Sequence, residues 1–243
     1  MTGGGRGIER KKPPRSHFRL AHRGASAHEP ENTMLAFRRA LELGADGLEL
    51  DVHLTSEGVP VVIHDASVDK TTDGTGQVGE MSLAEIRALD AGKGEQIPLL
   101  EEVIDEFAGR CLLLIELKGL GSETPTGDMI RAKDAVASVI VSSFDPAKLA
   151  TLKTHAPEIE TAALTGRWDI DFVALAEEAK ADCIQFGWER HEAPHTLLTD
   201  DVFGRAREAG LKVLLWHEER PEVIRELEGL PIYGVCGNAP ELL

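Results

Sequence analysis

The chain has 243 residues, of which 42% are hydrophobic and 28% are charged, so it is long enough to bury a large core. A formal net charge of −16 disfavours nucleic acid and anionic membranes as partners, and the sequence lacks the run of about 18 apolar residues that a membrane-spanning helix needs. The three cysteines are far apart and form no CxxC pair, which predicts buried free thiols rather than disulfides or a zinc site.

The N-terminal segment, residues 1–15, is rich in glycine, arginine and lysine and lacks the apolar core of a secretory signal. We predict a disordered tail there, a single domain over residues 16–243, a cytoplasmic location and no stable membrane anchor.

Nine short apolar segments, many of them β-branched, follow this tail and predict strands that are buried on both faces of a parallel sheet. They are Phe18–His22, Gly47–Leu54, Pro60–His64, Cys111–Leu117, Ser138–Ser142, Thr161–Leu164, Cys183–Phe186, Lys212–Trp216 and Ile232–Cys236.

Amphipathic segments between these strands predict helices, several with a capping residue at the start and a glycine after the end. They are Thr33–Leu43, Ser82–Leu89, Leu99–Phe107, Asp145–Thr154, Asp171–Lys180, Asp200–Ala209 and Pro221–Leu227. This alternation is typical of α/β proteins, either a (β/α)8 TIM barrel or a doubly wound sheet, and we predict the barrel.

One irregularity is expected near the second and third strands. Only Thr55–Gly58 separates them, which is too short for a parallel crossover, so they should form a hairpin or one should lie outside the barrel. The turn-rich stretch 65–98 predicts an insertion with a small helix over the barrel mouth. We expect residues 119–128 to form a loop.

Polar residues gather at the C-terminal ends of the first four predicted strands, where a barrel forms its active site. They are His22, Arg23, Glu49, Asp51, His64, Glu116 and Lys118. Side chains two apart on a strand face the same side, so the two acidic residues of the second strand should point together, as should Glu116 and Lys118.

The residue types at this rim suit phosphoryl transfer. Three carboxylates, from Glu49, Asp51 and Glu116, are hard oxygen ligands and predict one divalent ion, Mg²⁺ or Ca²⁺, with Mn²⁺ as a further possibility. The metal would offset the charge that develops on phosphoryl oxygens.

The remaining rim residues complete this chemistry. Arg23 and Lys118 are suited to holding phosphate oxygens. Histidine is the side chain that ordinarily exchanges a proton near neutral pH, so of His22 and His64 one could accept a proton while the other donates one, in either order.

Taken in order, these motifs resemble the glycerophosphodiester phosphodiesterase family. The matching segments are His22-Arg23-Gly24, Pro30-Glu31-Asn32-Thr33, Glu49-Leu50-Asp51-Val52, His64-Asp65 and Glu116-Leu117-Lys118. The resemblance extends over roughly Arg19 to Pro240 and includes the segments 71–76, 97–102 and 142–145.

The resemblance implies a TIM barrel that hydrolyses glycerophosphodiesters to glycerol 3-phosphate and an alcohol. It implies metal binding by the carboxylate triad, general acid and base roles for the two histidines, and phosphate contacts from the arginine and lysine. Glu31 would support the site or the metal. For Asn32 we favour a structural role, as the cap of the helix that starts at Thr33.

The C-terminal part departs from the family pattern. The family usually has Trp-Thr-Val-Asn after a late strand, where this chain has Trp216-His217-Glu218-Glu219, and it usually has Thr-Asp before x-Pro, where this chain has Gly237-Asn238-Ala239-Pro240. Trp216 is expected to form an apolar wall for the glycerol or alcohol moiety, and the departures leave the leaving group open.

Three further residues lie at or near the ends of predicted strands. Gln185 and Trp188 either line the pocket or belong to the surface. For His53 we expect a side chain that faces away from the acidic pair and takes no part in the site.

Two alternatives to the family's usual activity remain at this point. One is a lysophospholipase D-like phosphodiesterase that uses the same residues, and the other is an inactive binding protein with the same fold. In each case the expected partner is a small molecule, and the sequence does not indicate an oligomeric state.

Overall fold

The structure, a computed structural model, describes residues 17–188 and 190–243, so the predicted tail lies outside the described residues. The strands are β1 Phe18–His22, β2 Gly47–Leu54, β3 Pro60–Val62, β4 Leu112–Leu117, β5 Val139–Ser143, β6 Glu160–Thr165, β7 Cys183–Gly187, β8 Lys212–Trp216 and β9 Gly234–Gly237. The helices are α1 Met34–Glu42, α2 Leu83–Arg87, α3 Leu100–Phe107, α4 Glu123–Ala132, α5 Pro146–His155, α6 Phe172–Ala179, α7 Asp200–Glu208 and α8 Pro221–Glu226.

Eight of the strands close into a parallel barrel. They follow one another around the ring in the order β1, β2, β4, β5, β6, β7, β8 and β9, and β9 pairs back onto β1. The helices lie between successive strands, so the predicted (β/α)8 TIM barrel is confirmed.

The ninth strand, β3, lies outside this ring. It pairs antiparallel with β2, with Val52 opposite Val62 and Leu54 opposite Pro60. The predicted hairpin is therefore confirmed, and it brings the segment after β3 beside Asp51, whose backbone oxygen accepts from the N–H of Ile63.

Apolar side chains fill the lower part of the barrel and the layer between barrel and helices. The inner cluster consists of Phe18, Leu20, Leu112, Leu114, Ile140, Ala162, Cys183, Leu214 and Cys236. Because strand residues alternate between inside and outside, each position two residues further along these strands also points inward, toward the mouth.

The insertion has a small core of its own. Helix α2 begins with a capping box in which Ser82 and Glu85 cap each other's backbone N–H groups, as the sequence predicted. The insertion's apolar residues, together with two from the β3 segment, form a separate cluster: Val61, Ile63, Val68, Val78, Ile86, Ala91 and Ile97.

The prediction of a loop over residues 119–128 is wrong, because α4 begins at Glu123. The segment contains Pro125 and Gly127, which usually argue against a helix. Pro125 falls in the first turn, where its missing N–H has no partner to lose. Gly127 packs against the neighbouring helix, where an added Cβ would come within 2.8 Å of Leu152.

The cysteines and helices agree with two further expectations. Cys111, Cys183 and Cys236 are all free thiols, the last two fully buried. Among the described residues, no helix combines the length and the apolar character needed to cross a bilayer.

Candidate active site

A sharp turn after β1 places the first motif at the barrel mouth. Arg23 and Gly24 have positive φ angles of 56° and 79°. A Cβ on Gly24 would lie 2.7 Å from the backbone carbon of Ala36 in α1, so glycine alone allows the helix to pack this closely on the turn.

Three buried carboxylates meet at the C-terminal ends of β2 and β4. Asp51 lies opposite Glu116 in the parallel pairing, and Glu49 is two residues earlier on β2. One ligand oxygen from each lies within 4.8 Å of the others. The predicted triad therefore comes together in space, and its spacing and hard oxygen atoms fit a divalent cation.

The electrostatics of the triad also favour a cation. Burial and the charge of Asp51 raise the pKa of Glu116 to about 7. Burial and the charges of Asp51 and Glu116 raise the pKa of Glu49 well above its usual value. The pKa of Asp51 is lowered, since Lys118, His64 and Arg23 together outweigh the effect of burial. A bound divalent ion would relieve this repulsion.

Arg23 and Lys118 each lie beside carboxylate oxygens of the triad. Arg23 Nε lies 3.5 Å from Asp51 Oδ2, and its Nη1 donates to Glu31 Oε1 at 2.9 Å. Lys118 Nζ lies 2.8 Å from Glu116 Oε1 and 3.6 Å from Asp51 Oδ1. Both side chains therefore border the space in which a phosphate would meet a metal, and Glu31 holds Arg23 in place.

The contacts of His22 define its tautomer. Trp216 Nε1 can only donate, and it lies 2.9 Å from His22 Nε2, so Nε2 must carry a lone pair. The proton is therefore on Nδ1, which lies 2.7 Å from Asn238 Oδ1. Burial and the charge of Arg23 lower the pKa of His22 to about 3, so the imidazole is neutral at physiological pH.

The face of His22 that carries Nε2 is directed at the metal candidates. Nε2 lies 3.9 Å from Glu49 Oε2, and that same carboxylate oxygen accepts a hydrogen bond of 2.9 Å from the backbone N–H of Arg23. A basic nitrogen thus borders the carboxylate triad.

His64 has an acidic partner instead of an amide. Its Nδ1 lies 2.5 Å from Asp65 Oδ1, and its side chain is partly exposed at the mouth. Contrary to the expectation, His53 stands two residues beyond Asp51 and therefore on the same face of β2, and its Nε2 lies 3.1 Å from the backbone oxygen of His64.

Trp216 lies beside His22 and also contacts Gly187 and Phe144. A Cβ on Gly187 would lie 2.8 Å from its ring, so glycine at this position makes room for the indole. The ring of Phe144 meets the indole edge-on at a centroid distance of 6.1 Å.

The interpretation of Asn32 as a helix cap is wrong. Thr33 is the N-cap of α1, and its side chain accepts from Ala36. Asn32 has a positive φ of 56° and donates from Nδ2 to Asp51 Oδ2 at 2.9 Å. Its amide therefore orients a carboxylate of the triad, a role that only its place in the Pro-Glu-Asn-Thr motif could have suggested.

Asn238 and His217 lie beside His22, and no sequence pattern predicted these two contacts. Ser26 Oγ lies 3.0 Å from the same Asn238 oxygen that faces Nδ1, and the imidazole of His217 stacks on that of His22 at 5.1 Å. Gln185 and Trp188 are both buried, which excludes the surface alternative for them.

A closed parallel barrel with buried carboxylates, two histidines and two cations at the C-terminal mouth defines a hydrolase of the TIM-barrel class acting on an anionic substrate. Known proteins agree with this description. The model of the glycerophosphoryl diester phosphodiesterase family matches residues 22–242. The chain therefore belongs to the glycerophosphoryl diester phosphodiesterase family.

Individual relatives are similar over nearly their whole length. A glycerophosphodiester phosphodiesterase of Caldanaerobacter subterraneus subsp. tengcongensis is 36% identical over 239 residues, which cover 92% of this chain and 95% of the relative. The predicted enzyme class, a phosphoric diester hydrolase, is confirmed by this agreement of family and relatives.

Solved structures agree in fold. The glycerophosphodiester phosphodiesterase from Agrobacterium tumefaciens matches with a TM-score of 0.81 and 30% identity, covering 92% of this chain and 96% of that one. A phosphodiesterase from Oleispira antarctica, solved in complex with the product sn-glycerol-3-phosphate, matches with a TM-score of 0.78 and 27% identity, covering 91% and 93%.

Proposed function

We propose that this enzyme hydrolyses glycerophosphodiesters to glycerol 3-phosphate and an alcohol, with the help of one divalent metal ion. The observation that carries the proposal is the buried triad of Glu49, Asp51 and Glu116, bordered on one rim by two cations and two histidines. The product bound to the similar Oleispira antarctica enzyme supports the choice of substrate.

The triad would hold the ion, Mg²⁺ or Ca²⁺, or alternatively Mn²⁺, through carboxylate oxygens. When bound, it would stabilise negative charge on the phosphoryl oxygens. Asn32 orients Asp51 for this role, and the backbone N–H of Arg23 orients Glu49. These contacts fix the ligand oxygens before any ion arrives.

Arg23 and Lys118 would bind the two non-bridging oxygens of the phosphodiester, the guanidinium with directed hydrogen bonds and the ammonium as a point charge. Glu31 pairs with Nη1 of Arg23 and so orients the guanidinium. Trp216 would form the wall against which the glycerol or the alcohol lies.

The partners of the two histidines assign the proton transfers. Asn238 is neutral and keeps the lone pair of His22 on Nε2, where Trp216 Nε1 donates to it. Once that hydrogen bond gives way to water or to the substrate's own 2-hydroxyl, Nε2 would act as the general base. Asp65 is anionic and faces His64 Nδ1, an arrangement that stabilises an imidazolium able to protonate the leaving alkoxide.

Two features of the wider chain belong to the same proposal. The insertion 65–98 begins at Asp65, directly beside His64, which supports its placement over the mouth. The three unpaired thiols support a reducing, cytoplasmic compartment.

Release of glycerol 3-phosphate from glycerophosphocholine tests the proposal. His22→Ala and His64→Ala should each lower kcat by roughly 10²- to 10⁴-fold, the usual contribution of a positioned acid or base. Both variants should keep the circular dichroism spectrum of the parent. His155→Ala is the matched control, since this histidine lies at the end of α5 and its Nε2 faces Asp128. Near-normal turnover in either site variant would refute the acid–base assignment.

A further inference from the structure

The two departures from the family pattern lie side by side in the structure. One follows β8, at residues 217–219, and the other follows β9, at Asn238, and these strands are neighbours in the ring. The segment after β8 continues along β9, because the backbone N–H of Glu218 donates to the backbone oxygen of Cys236 at 3.0 Å. Glu219 Oε1 then accepts a hydrogen bond of 2.6 Å from the backbone N–H of Asn238. A direct contact therefore joins the two departures.

The segment after β8 is braced by an ion pair of its own. Glu218 is buried, and its two carboxylate oxygens accept from the guanidinium of Arg220 at 2.8 and 2.7 Å. Glu218 Oε1 also accepts from the backbone N–H of Glu219 at 3.1 Å. Arg220 Nη1 donates to the backbone oxygen of His191 at 2.8 Å, which ties the segment to the loop after β7. The carboxylate of Glu219 consequently projects from a backbone that its neighbours hold in place.

Both residues beside the Glu219 carboxylate touch His22. Asn238 Oδ1 lies 2.7 Å from His22 Nδ1. The imidazole of His217 stacks on that of His22 at 5.1 Å, and its Nε2 lies 3.8 Å from Glu219 Oε2. The two oxygens of one carboxylate thus face the group at the Nδ1 edge of the His22 ring and the group on its face.

The contact with Asn238 is the stronger of the two. A carboxylate that accepts from a backbone N–H makes a charge-assisted hydrogen bond, which is shorter and stronger than one between neutral groups. The backbone oxygen of Asn238 in turn accepts from the N–H of Ala27 at 3.1 Å. Both backbone polar groups of Asn238 are therefore held, and this fixes where its amide oxygen meets Nδ1 of His22.

We propose that Glu219 is a positioning residue for His22, acting mainly through Asn238, and that the two departures serve the proton transfer rather than the choice of alcohol. The role rests on the proposed function of His22 as the general base. Without the carboxylate, the backbone of Asn238 is free to shift, and a displacement of about 1 Å at a reacting group can cost roughly 100-fold in rate.

Two substrates with different alcohols test this role. We would measure kcat and KM for glycerophosphocholine and for the methyl diester of glycerol 3-phosphate. Glu219→Ala should lower kcat about 10-fold for both, a partial misplacement of the base, with little change in KM. Glu219→Gln keeps an acceptor oxygen and should recover part of kcat. Glu226→Ala is the matched control, since it removes an exposed glutamate at the end of α8, and it should retain the kcat of the parent.

A double variant tests the route through Asn238. If Glu219 acts through this residue, adding Glu219→Ala to Asn238→Ala should lower kcat by a smaller factor than Glu219→Ala does in the parent, because residues that act in series are not additive. The same factor in both backgrounds would contradict the route.

The ring of His22 offers a readout that does not depend on turnover. In NMR spectra of the parent, the Nδ1 proton of His22 should exchange slowly with water, because Asn238 accepts it. The exchange should be faster in Glu219→Ala and unchanged in Glu226→Ala. A merely structural role of Glu219 would lower the unfolding free energy without changing this exchange.

Three results would overturn the role of Glu219. They are an unchanged kcat in Glu219→Ala, a loss of kcat that differs strongly between the two substrates, and an Nδ1 proton that exchanges as slowly in Glu219→Ala as in the parent. The second would place Glu219 in the pocket for the alcohol instead. If the parent turns over neither diester, the proposed function fails, and the exchange of the Nδ1 proton still decides whether Glu219 holds the ring of His22.

Discussion

At the scale of single residues, the two histidines of the site differ in the group that faces Nδ1. His22 faces the amide oxygen of Asn238 at 2.7 Å, and His64 faces the carboxylate of Asp65 at 2.5 Å. A neutral partner fixes a tautomer without adding negative charge, whereas a carboxylate stabilises the protonated ring. The same residue type can thereby serve as base at one position and as acid at the other.

Asn238 should therefore act as a positioning residue. Asn238→Ala removes the acceptor for Nδ1–H, so we expect kcat to fall roughly 10- to 100-fold, a part of the 10²- to 10⁴-fold that a general base contributes. KM should change little. Steady-state kinetics measure both, and Asn238→Gln, which keeps a neutral acceptor oxygen on a longer side chain, should recover part of kcat. An unchanged kcat in the alanine variant would contradict the role.

The raised pKa values within the triad predict proton release on metal binding. Glu116, with a pKa of about 7, retains a proton below neutral pH that a cation must displace, and the raised pKa of Glu49 acts in the same direction. Calorimetry in two buffers of different ionisation enthalpy should show release at pH 6. It should decrease above pH 7, and the apparent affinity should rise with pH across this interval.

Glu116→Gln is the control for that titration. The amide cannot hold the proton, so the release at pH 6 should be smaller than in the parent. Equal release in the two proteins would show that the displaced proton comes from a group other than Glu116.

Most of this residue-level chemistry could be predicted from the sequence, because the triad and both cations sit at strand ends whose direction follows from the fold. Asn238 could not be. Its contact with His22 spans 216 positions in the chain, and a lone asparagine after the last strand has no pattern that distinguishes it from a turn residue. Asn32 was misread for a related reason, since asparagine before a helix is a common cap.

At the scale of elements, the turn between β1 and α1 sets the position of the first motif. Gly24→Ala adds a methyl group that would clash with the backbone of α1 at a positive φ. We expect a loss of unfolding free energy of about 2 kcal/mol or more, combining the left-handed backbone cost with the clash. Urea denaturation measures it.

Gly210→Ala is the matched control for this change. Gly210 also has a positive φ, of 72°, but nothing lies within 4 Å of the added Cβ. Its cost should be limited to about 1 kcal/mol from the backbone alone. Equal losses in the two variants would show that packing against α1 is not the cause.

Elements with strong hydrophobic periodicity were predictable, and α4 was not. Its buried residues include Thr126 and Gly127 next to Ile130, so its inner face carries little apolar signal. The hairpin of β2 and β3 was predictable because loop length alone excludes a parallel crossover.

At the scale of the molecule, the two halves of the chain contribute different parts of the site at the barrel mouth. The carboxylate triad, Arg23 and Lys118 come from the first half, whereas Trp216 and Asn238, the partners of His22, come from the second. An acidic protein with a formal net charge of −16 binds an anionic diester only if positive charge is concentrated at the mouth. Arg23 and Lys118 are already paired with carboxylates, so under the proposed function a bound metal ion would make the site attractive to phosphate.

Metal-dependent turnover is the measurement that tests this account most directly. The enzyme is treated with EDTA, desalted and assayed for glycerol 3-phosphate release from glycerophosphocholine, before and after addition of Mg²⁺, Ca²⁺ or Mn²⁺, in parallel with Asp51→Asn. We predict that chelation abolishes turnover, that at least one of the ions restores it in the parent, and that none restores it in the variant. Full activity in the chelated, metal-free enzyme would contradict the account.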